Sequence, residues 1–333
     1  MVKIKRYTKE EGRLGEPGGS LDGLSIFWGG IGVRQWDAWI ESIDLTPIEQ
    51  TWSYGQAFAG STPYSPVHGV VYKKKSPIAI LQIIEWRIAN LIRIAKIVRG
   101  PLFFDGISYQ DKVRVLTMVR RRYSLRRRDF LFWTPELSKN DPVAGKLKSL
   151  GLREVVSGYS SVVLDLQNEE QELLYQMDGK WRNQLKKAQK QGLQVKTVHG
   201  GPLLEWLLAQ HEMHRKQRRL RMPASAFISA ISLSMRNKQG TLAFIANEGN
   251  DPLAGILIFK HGATATYYVS WNSEIARKRY ANNLLLWFAV KELKSRGVKW
   301  LDLGGVDGLF MPGVSRFKLG FGGKLYTLAG TYL

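Results

Sequence analysis

Apolar residues recur with two different periods along the chain, and together they predict an α+β protein. Alternating or continuously apolar runs predict strands at residues 70–72, 78–86, 92–98, 130–135, 159–166, 193–198, 241–246, 252–260, 264–271 and 298–305. Helical spacing occurs at residues 47–55, 110–123, 168–191, 202–219 and 282–296. The similar order in both halves predicts two related domains, 1–152 and 153–323, with about 324–333 returning to pack on the first.

The composition indicates a globular protein. Hydrophobic residues make up 44% of the 333 residues and aromatic residues 11%, which is enough for a substantial core. No apolar run is long enough for a transmembrane helix, and the start of the chain lacks the pattern of a signal peptide, so we expect a cytosolic protein. The absence of cysteine excludes disulfides, thiolate metal sites and a cysteine nucleophile. His211 and His214 share a helix face without an obvious third ligand, so we predict surface residues and no metal site.

Charge is the more informative part of the composition. The chain has 49 Lys and Arg against 28 Asp and Glu, a net charge of +21. This excess indicates a polyanionic partner, such as nucleic acid, an anionic membrane surface or a phosphorylated substrate. The alternative is a basic protein that needs no such partner.

Two basic segments are candidates for phosphate binding. The denser cluster has six arginines within nine residues: Arg120, Arg121, Arg122, Arg126, Arg127 and Arg128. Guanidinium groups match phosphate oxygens, although a solvated helix end gives the same pattern. In the second segment, Arg182, Lys186 and Lys190 follow each other at four-residue spacing and form a ridge on one helix face. That ridge could bind the acceptor end of RNA or a pyrophosphate, or it could be a plain solvated face.

The candidate chemistry lies near the end of the chain. Lys318 stands between Phe317 and Phe321, and three glycines follow it within five residues. A lysine held among apolar neighbours can stabilise a developing oxyanion, and glycines let the backbone approach a ligand closely. The alternative is a tight hairpin with a surface lysine. Upstream, residues 267–282 read as a strand, a loop and a helix start, an arrangement that is typical of anion sites.

Several motifs in order resemble the FemABX family, the aminoacyl-tRNA-dependent transferases that build peptidoglycan interpeptide bridges. The matching pieces are Gln50-Thr51-Trp52-Ser53-Tyr54-Gly55, Arg99-Gly100-Pro101 followed by Asp105, the basic helix 181–192, Asp302-Leu303-Gly304-Gly305, and Phe317-Lys318-Leu319-Gly320-Phe321-Gly322-Gly323. The last motif is the most specific. The resemblance implies two tandem GNAT (acetyltransferase-like) domains with mixed sheets flanked by helices. We expect the family's helical arm to be missing, so that the chain is more similar to the compact FemX type.

The resemblance also implies roles for individual residues. Lys318 would lie beside the transferred carbonyl and stabilise the oxyanion, and Asp105 would orient the acceptor amine or accept its proton. The expected substrate-binding residues are Tyr267, Tyr268, Trp271, Phe317, Phe321, Arg99 and Arg215. The implied partners are aminoacyl-tRNA, held through its phosphates, and an anionic envelope precursor. We expect a monomer without cofactor or metal, and peripheral contact with the inner membrane surface stays open.

One departure bears on the acceptor. FemX-type enzymes have a lysine shortly after the Trp-Gly pair that binds the phosphates of a nucleotide-linked muropeptide, whereas Phe58 falls at about that place here. This difference leaves a lipid-linked precursor, or an acceptor outside peptidoglycan, as alternatives. Arg215, Arg218 and Arg219 could still bind phosphates.

Two other functions fit parts of the sequence. A GNAT-type acyltransferase would use acyl-CoA or an acyl carrier protein, and its pyrophosphate would lie on the segment Arg277–Asn282. Tyr280 occupies the place of a required glycine there, which counts against CoA. The other alternative is a non-catalytic tRNA- or envelope-binding protein, against which the presence of Lys318 and Asp105 argues.

Overall fold

A computed structural model of the chain describes residues 15–309 and 311–333. Its strands are β1 (Glu16–Leu21), β2 (Leu24–Trp28), β3 (Ser65–Lys73), β4 (Ser76–Ile88), β5 (Ile92–Val98), β6 (Leu102–Phe103), β7 (Asp129–Thr134), β8 (Glu154–Val156), β9 (Ser160–Asp165), β10 (Gln194–Val198), β11 (Thr241–Glu248), β12 (Asp251–His261), β13 (Thr264–Asn272), β14 (Trp300–Gly305), β15 (Lys324–Thr327) and β16 (Thr331–Tyr332). Its helices are α1 (Val33–Ser42), α2 (Trp52–Ser61), α3 (Tyr109–Arg121), α4 (Lys146–Ser149), α5 (Glu170–Gln176), α6 (Gly179–Gln189), α7 (Pro202–Gln217), α8 (Ser225–Ser234), α9 (Glu274–Lys278), α10 (Ala281–Ser295) and α11 (Pro312–Leu319). Short 3-10 turns occupy Ile48–Gln50, Leu125–Arg127 and Lys238–Gly240.

The first of two compact units comprises the described residues up to Tyr159 together with Thr327–Leu333. Its sheet has the order β1-β2-β3-β4-β5-β7-β16-β8, and the short strand β6 also pairs with β4. The strands β5 and β7 are parallel, so the sheet is mixed. Buried residues of α3 pack on one face, while Trp36 and Ile40 of α1, together with Trp52 of α2, pack on the other. The unit therefore consists of a sheet between helical layers.

The second unit, Ser160–Tyr326, repeats this plan with a seven-stranded sheet of order β10-β11-β12-β13-β14-β9-β15. Here β13 and β14 form the parallel pair. The apolar faces of α6 and α10 cover one side of the sheet, and α7 covers the other, where Leu207 approaches Gly255 of β12. Mixed sheets flanked by helices confirm the predicted α+β class.

Three predictions of local structure differ from the structure. The helix predicted over 47–55 is interrupted at Thr51, which is extended and separates a 3-10 turn from α2. The helix predicted over 168–191 is split into α5 and α6, because Met177 and Asp178 are extended and the Asp178 N–H donates to the Gly320 carbonyl at 2.9 Å. The hairpin alternative for the glycine-rich end is wrong, since Lys318 lies on α11.

His211 also departs from the prediction, because it is buried rather than on the surface. Its Nε2 makes a hydrogen bond with the Pro223 carbonyl at 2.9 Å. No helix within the described ranges is long and apolar enough to cross a membrane.

Candidate active site

The second unit holds a lysine in an unusual position. Lys318, near the end of α11, is only 8% exposed. Its Nζ donates to the Gly305 carbonyl at the end of β14 at 2.8 Å, and it lies 5.8 Å from the centre of the Tyr267 ring. Within the described part of the chain, no carboxylate forms an ion pair with it. A buried ammonium group without an ion pair is costly, so this arrangement is a candidate for function rather than stability.

Burial changes the titration of this lysine. It lowers the pKa of Lys318 to about 8, against a smaller opposing attraction from the Asp302 carboxylate. Asp302 is itself buried and held in place, because its Oδ1 accepts hydrogen bonds from Ser161 Oγ at 2.7 Å and from the Gly304 N–H at 2.8 Å. At neutral pH Lys318 therefore remains a cation, close to the pH at which it loses its proton.

A chain of polar groups runs beside Lys318 on the same side of the sheet. A register shift in β13 follows Tyr267, so that Tyr267 pairs with Ile258 and Ser270 with Ile256. Burial raises the pKa of Tyr267 to about 12, and a hydrogen bond from Ser270 opposes this rise. Asn282, at the start of α10, donates from Nδ2 to Ser270 Oγ at 2.9 Å. Asn282, Ser270 and Tyr267 thus form a row of hydrogen-bonded groups that ends next to the lysine. We call these three residues the relay, in the sense of linked hydrogen bonds and not of proton transfer.

Two acceptor atoms near this relay have no partner. The Oδ1 atoms of Asn272 and Asn282 are buried and lack a hydrogen bond within residues 15–309 and 311–333. Buried carbonyl oxygens are usually paired in folded proteins. These two atoms are therefore available to a donor group of a bound molecule or to water.

Aromatic residues form the base of α11. Trp181 of α6 packs edge-on against Phe321 at 4.6 Å between ring centres and in a tilted arrangement against Phe317 at 5.6 Å. Its Nε1 donates to the Phe317 carbonyl at 3.1 Å. The following glycine, Gly322, has φ +96°, and a Cβ there would come within 2.3 Å of the Gln176 carbonyl. The glycine of this motif therefore permits close backbone packing, and no ligand is needed to explain it.

Three other residues that were predicted to bind substrate lie elsewhere in this unit. Tyr268 packs edge-on against Phe259, and Trp271 against Trp206 of α7, on the side of the sheet that α7 covers. Arg215 forms a bidentate pair with Glu212, at 2.6 and 3.0 Å, and both are on α7. Of the predicted set in this unit, only Tyr267 and Phe317 with Phe321 lie around Lys318 or its helix.

The predicted cationic ridge on α6 is only partly available. Arg182 donates to carbonyls at the end of α5, including that of Tyr175 at 2.9 Å, and so stabilises the break between the two helices. Lys186 and Lys190 are exposed and have no partner in the part of the chain that the structure describes. Two of the three predicted cations can therefore bind an external phosphate.

In the first unit, Arg99 is buried and internally paired. Arg99 is 6% exposed, and its backbone has the left-handed conformation with φ +55°. The guanidinium binds both carboxylate oxygens of Glu136, at 2.7 and 3.1 Å, and comes within 3.9 Å of Glu49. Gln50 is similarly internal, since its amide donates to the Val98 carbonyl at 2.7 Å. Both motif residues hold the local structure together.

Asp105 has the opposite environment. It lies in the turn after β6, where its side chain is exposed and has no hydrogen bond among the described residues. Its carboxylate is thus accessible, and no residue that the structure describes holds it in one orientation.

The predicted arginine cluster separates into two groups. Arg120, Arg122 and Arg127 make internal contacts: Arg120 donates to the Tyr123 carbonyl, Arg122 contacts Glu85 and the Trp28 ring, and Arg127 pairs with Asp129. The remaining members are exposed and have no partner within residues 15–309 and 311–333; they are Arg121, Arg126 and Arg128.

Phe58 belongs to an aromatic cluster. It packs against Tyr54 at 6.1 Å and Tyr64 at 5.7 Å, and Lys96 of β5 lies 4.5 Å from the centre of the Tyr64 ring. A cation therefore lies near Phe58, but it comes from β5 and not from the helix that carries Phe58.

Sequence reasoning missed several residues of the site. Ser270 and Asn282 lie in the segment that was predicted as an anion site, but their link to Tyr267 depends on the register shift in β13, which has no signal in the apolar pattern. The sequence indicates Asp302 only as part of a motif. A buried acid two residues before a glycine turn was the available signal.

Comparison with known proteins supports the resemblance. Residues 207–333 match the model of the FemAB family. No curated protein matches the chain. Among solved structures, FemX is similar with a TM-score of 0.76 at 14% identity, covering 92% of this chain and 96% of that one.

Two further solved structures have the same fold. A tandem GNAT protein from the clavulanic acid biosynthesis pathway gives a TM-score of 0.53 at 11% identity, covering 92% of this chain and 97% of that one. L-PGS from Bacillus licheniformis gives 0.52 at 9% identity, with 85% and 87% covered. The resemblance read from the sequence is thus confirmed: residues 207–333 match the FemAB family, and most of the chain has the fold of FemX.

Proposed function

We propose that the protein is an aminoacyltransferase. It would move an amino acid from aminoacyl-tRNA to an amine of a cell-envelope precursor, such as a peptidoglycan muropeptide or a lipid-linked precursor. The observation that carries the proposal is Lys318, a buried cation that contacts a backbone carbonyl and forms no ion pair within the described residues. The match of residues 207–333 to the FemAB family supports acyl transfer as the reaction class.

The proposed reaction needs an oxyanion stabiliser. The acceptor nitrogen attacks the ester carbonyl carbon that joins the amino acid to the terminal ribose of the tRNA. A C–N bond forms, the C–O bond to the ribose breaks, the nitrogen loses a proton and the ribose oxygen gains one. Negative charge develops on the carbonyl oxygen in between, and Lys318 would stabilise it. Losing one such donor costs about 2.7–4 kcal/mol in comparable sites.

The relay next to Lys318 suits a supporting role. Because burial raises the pKa of Tyr267 to about 12, its hydroxyl stays protonated at neutral pH and can donate a hydrogen bond. Ser270, which hydrogen-bonds to Tyr267, and Asn282, which donates to Ser270, would hold this hydroxyl in place, so we assign both as positioning residues. Tyr267 would donate to the departing ribose oxygen or to the oxyanion.

Asp105 is a separate proposal that rests on the resemblance. Its exposed carboxylate would orient the acceptor amine or take its proton. The exposed Lys186 and Lys190 of α6 would bind tRNA phosphates without reading sequence. We propose that each unit is a GNAT-like domain and that the protein acts as a cytoplasmic monomer.

Donor choice tests this proposal. The purified protein is incubated with a mixture of charged tRNAs or with acyl-CoAs, and with an extract of envelope precursors as acceptor. Mass spectrometry then follows transfer with and without RNase. Transfer that RNase abolishes is the expected result, and the mass gained by the acceptor identifies the amino acid.

The other outcomes select the other functions. Transfer from the thioester alone would make the protein a GNAT-type acyltransferase. The left-handed Tyr280 at the start of α10, with φ +55°, makes that result unexpected, because its side chain occupies the place of a phosphate-cradling glycine. If neither donor is used and charged tRNA still binds, the protein is a non-catalytic binding protein.

A further inference from the structure

Two loops protrude at the same end of the first unit's sheet. One is the turn Ala89–Leu91 between β4 and β5, and the other is the 3-10 turn Leu125–Arg127 before β7. They are neighbours because the Arg93 N–H, at the start of β5, donates to the Arg128 carbonyl at 3.1 Å. We call this region the loop end of the first unit; it comprises Arg87, Leu91, Arg121, Leu125, Arg126, Arg128 and Phe130.

Large apolar side chains lie at the tips of both loops. Leu91 is 63% exposed and Leu125 is 67% exposed, and Phe130 on the adjoining strand is 40% exposed. The first turn is well defined, since Ala89 and Asn90 have φ of 48° and 56° and the Leu91 N–H donates to the Ile88 carbonyl at 2.9 Å. Leu91 is therefore held in water by an ordered turn. Single exposed leucines are common, but two at adjacent tips form a patch.

Unpaired arginines surround these tips. Arg87, Arg121, Arg126 and Arg128 are exposed, and within residues 15–309 and 311–333 none of them has an ion pair or a side-chain hydrogen bond. The neighbouring Arg93 differs, because Asp129 binds it at 2.8 Å. Internal carboxylates thus satisfy the inner arginines and leave the outer ring of guanidinium groups for external anions.

We propose that the loop end docks on an anionic lipid bilayer. The leucines and Phe130 would enter the boundary between head groups and acyl chains, and the arginines would bind lipid phosphates. An RNA backbone would satisfy the arginines but would leave Leu91 and Leu125 in water. A bilayer accommodates both features, which is why we favour it. This inference stands without the proposed function.

Vesicle sedimentation of the protein tests the proposal. The vesicles contain phosphatidylcholine alone or mixed with phosphatidylglycerol. We expect binding to the mixed vesicles only. Arg126→Gln with Arg128→Gln should weaken it about fivefold for each arginine. Leu91→Ser with Leu125→Ser should weaken it about tenfold for each leucine.

The matched control is Tyr175→Ser with Leu233→Ser, which removes exposed apolar side chains of the second unit, 83% and 72% exposed, and should leave vesicle binding unchanged. All substitutions are at exposed positions, so we expect the unfolding midpoint of each variant to equal that of the wild type. Measuring this midpoint checks that the variants are folded.

Several results would overturn the proposal. One is that the wild-type protein does not sediment with mixed vesicles. Another is that the leucine variant binds these vesicles as tightly as the wild type does. If the arginine variant loses charged-tRNA binding and keeps vesicle binding, the loop end is an RNA surface instead. Transfer activity is not a readout here, so failure of the proposed enzyme reaction leaves this test intact.

Discussion

Lys318 and Arg99 are two cations that are buried to a similar degree, one in each unit, and their surroundings are opposite. Arg99 is 6% exposed and Lys318 is 8% exposed. The Arg99 guanidinium is bound by both oxygens of Glu136, at 2.7 and 3.1 Å. The Lys318 ammonium has a backbone carbonyl and an aromatic ring as neighbours.

The difference teaches how to separate a structural cation from a reactive one. In a matched pair of buried charges, both groups stay ionised. Removing one partner destabilises the protein strongly, because the other charge stays buried without compensation. An ammonium without a matched carboxylate carries the desolvation cost itself, which lowers the pKa of Lys318 to about 8. Burial alone would have ranked the two residues equally, whereas the partners distinguish them.

Removing the matched cation should have the largest effect. Arg99→Met leaves the Glu136 carboxylate, which is 10% exposed, without its partner. We expect the free energy of unfolding to fall by about 3–5 kcal/mol, as measured by urea denaturation. Adding Glu136→Gln should recover part of the loss, because the buried charge is then gone. A fall below 1 kcal/mol in the single variant would contradict the structural role of Arg99.

Removing the unmatched cation should affect catalysis and spare stability. Lys318→Met should lower the rate of aminoacyl transfer by a factor of about 10²–10³. The unfolding midpoint should stay the same or rise, because methionine fills the space without a buried charge. The control is Lys324→Met, at an exposed lysine of β15, which should keep wild-type turnover. Full activity in Lys318→Met would remove the lysine from the mechanism.

The sequence anticipates the elements of the fold better than the contacts of the site. Apolar periodicity places the strands that have a buried face, such as β4 and β12. It misses β1 and β8, whose residues are almost all exposed. It misses the break between α5 and α6, which depends on a hydrogen bond from Asp178 to the distant Gly320. The order of motifs points to Lys318. It does not show which of Tyr267 and Tyr268 faces Lys318, because the register shift at Tyr268 interrupts the alternation of side chains along β13.

Charge counting shows the same limitation. The arginines of the 120–128 segment are equivalent in sequence, yet Asp129 and Glu85 pair with two of them. These carboxylates lie on β7 and β4, so only the fold reveals which cations are available.

The relay offers a smaller test of the comparison. Ser270→Ala removes the hydroxyl that accepts from Asn282 and hydrogen-bonds to Tyr267. We expect a fall in kcat of about fivefold, which corresponds to the loss of one hydrogen bond. Substrate binding, measured as the tRNA Kd, should not change. Ser295→Ala, at an exposed serine of α10, is the control. An unchanged kcat in Ser270→Ala would exclude the relay.

The smallest expected effect concerns tRNA binding. Lys186→Gln with Lys190→Gln should reduce the slope of log affinity against log salt by about 0.7–0.9 for each lysine. The measurement is filter binding of charged tRNA over a salt series. Lys146→Gln with Lys148→Gln on α4 removes the same charge elsewhere and should leave the slope near the wild-type value. Equal slopes in the two double variants would show that α6 does not contact tRNA.

The most direct test of the account is the pH dependence of transfer, measured as kcat/KM with charged tRNA in the wild type and in Lys318→Arg. The pKa of Lys318 is lowered from 10.5 to about 8, so the ammonium form is present below that pH and is lost above it. If the cation stabilises the oxyanion, the wild-type rate falls as the pH rises through about 8. The arginine variant keeps its charge and should lack this fall at whatever activity it retains. A wild-type rate that rises through pH 8 to a plateau, with no such rise in Lys318→Arg, would contradict the account, because Lys318 would then act as a neutral base.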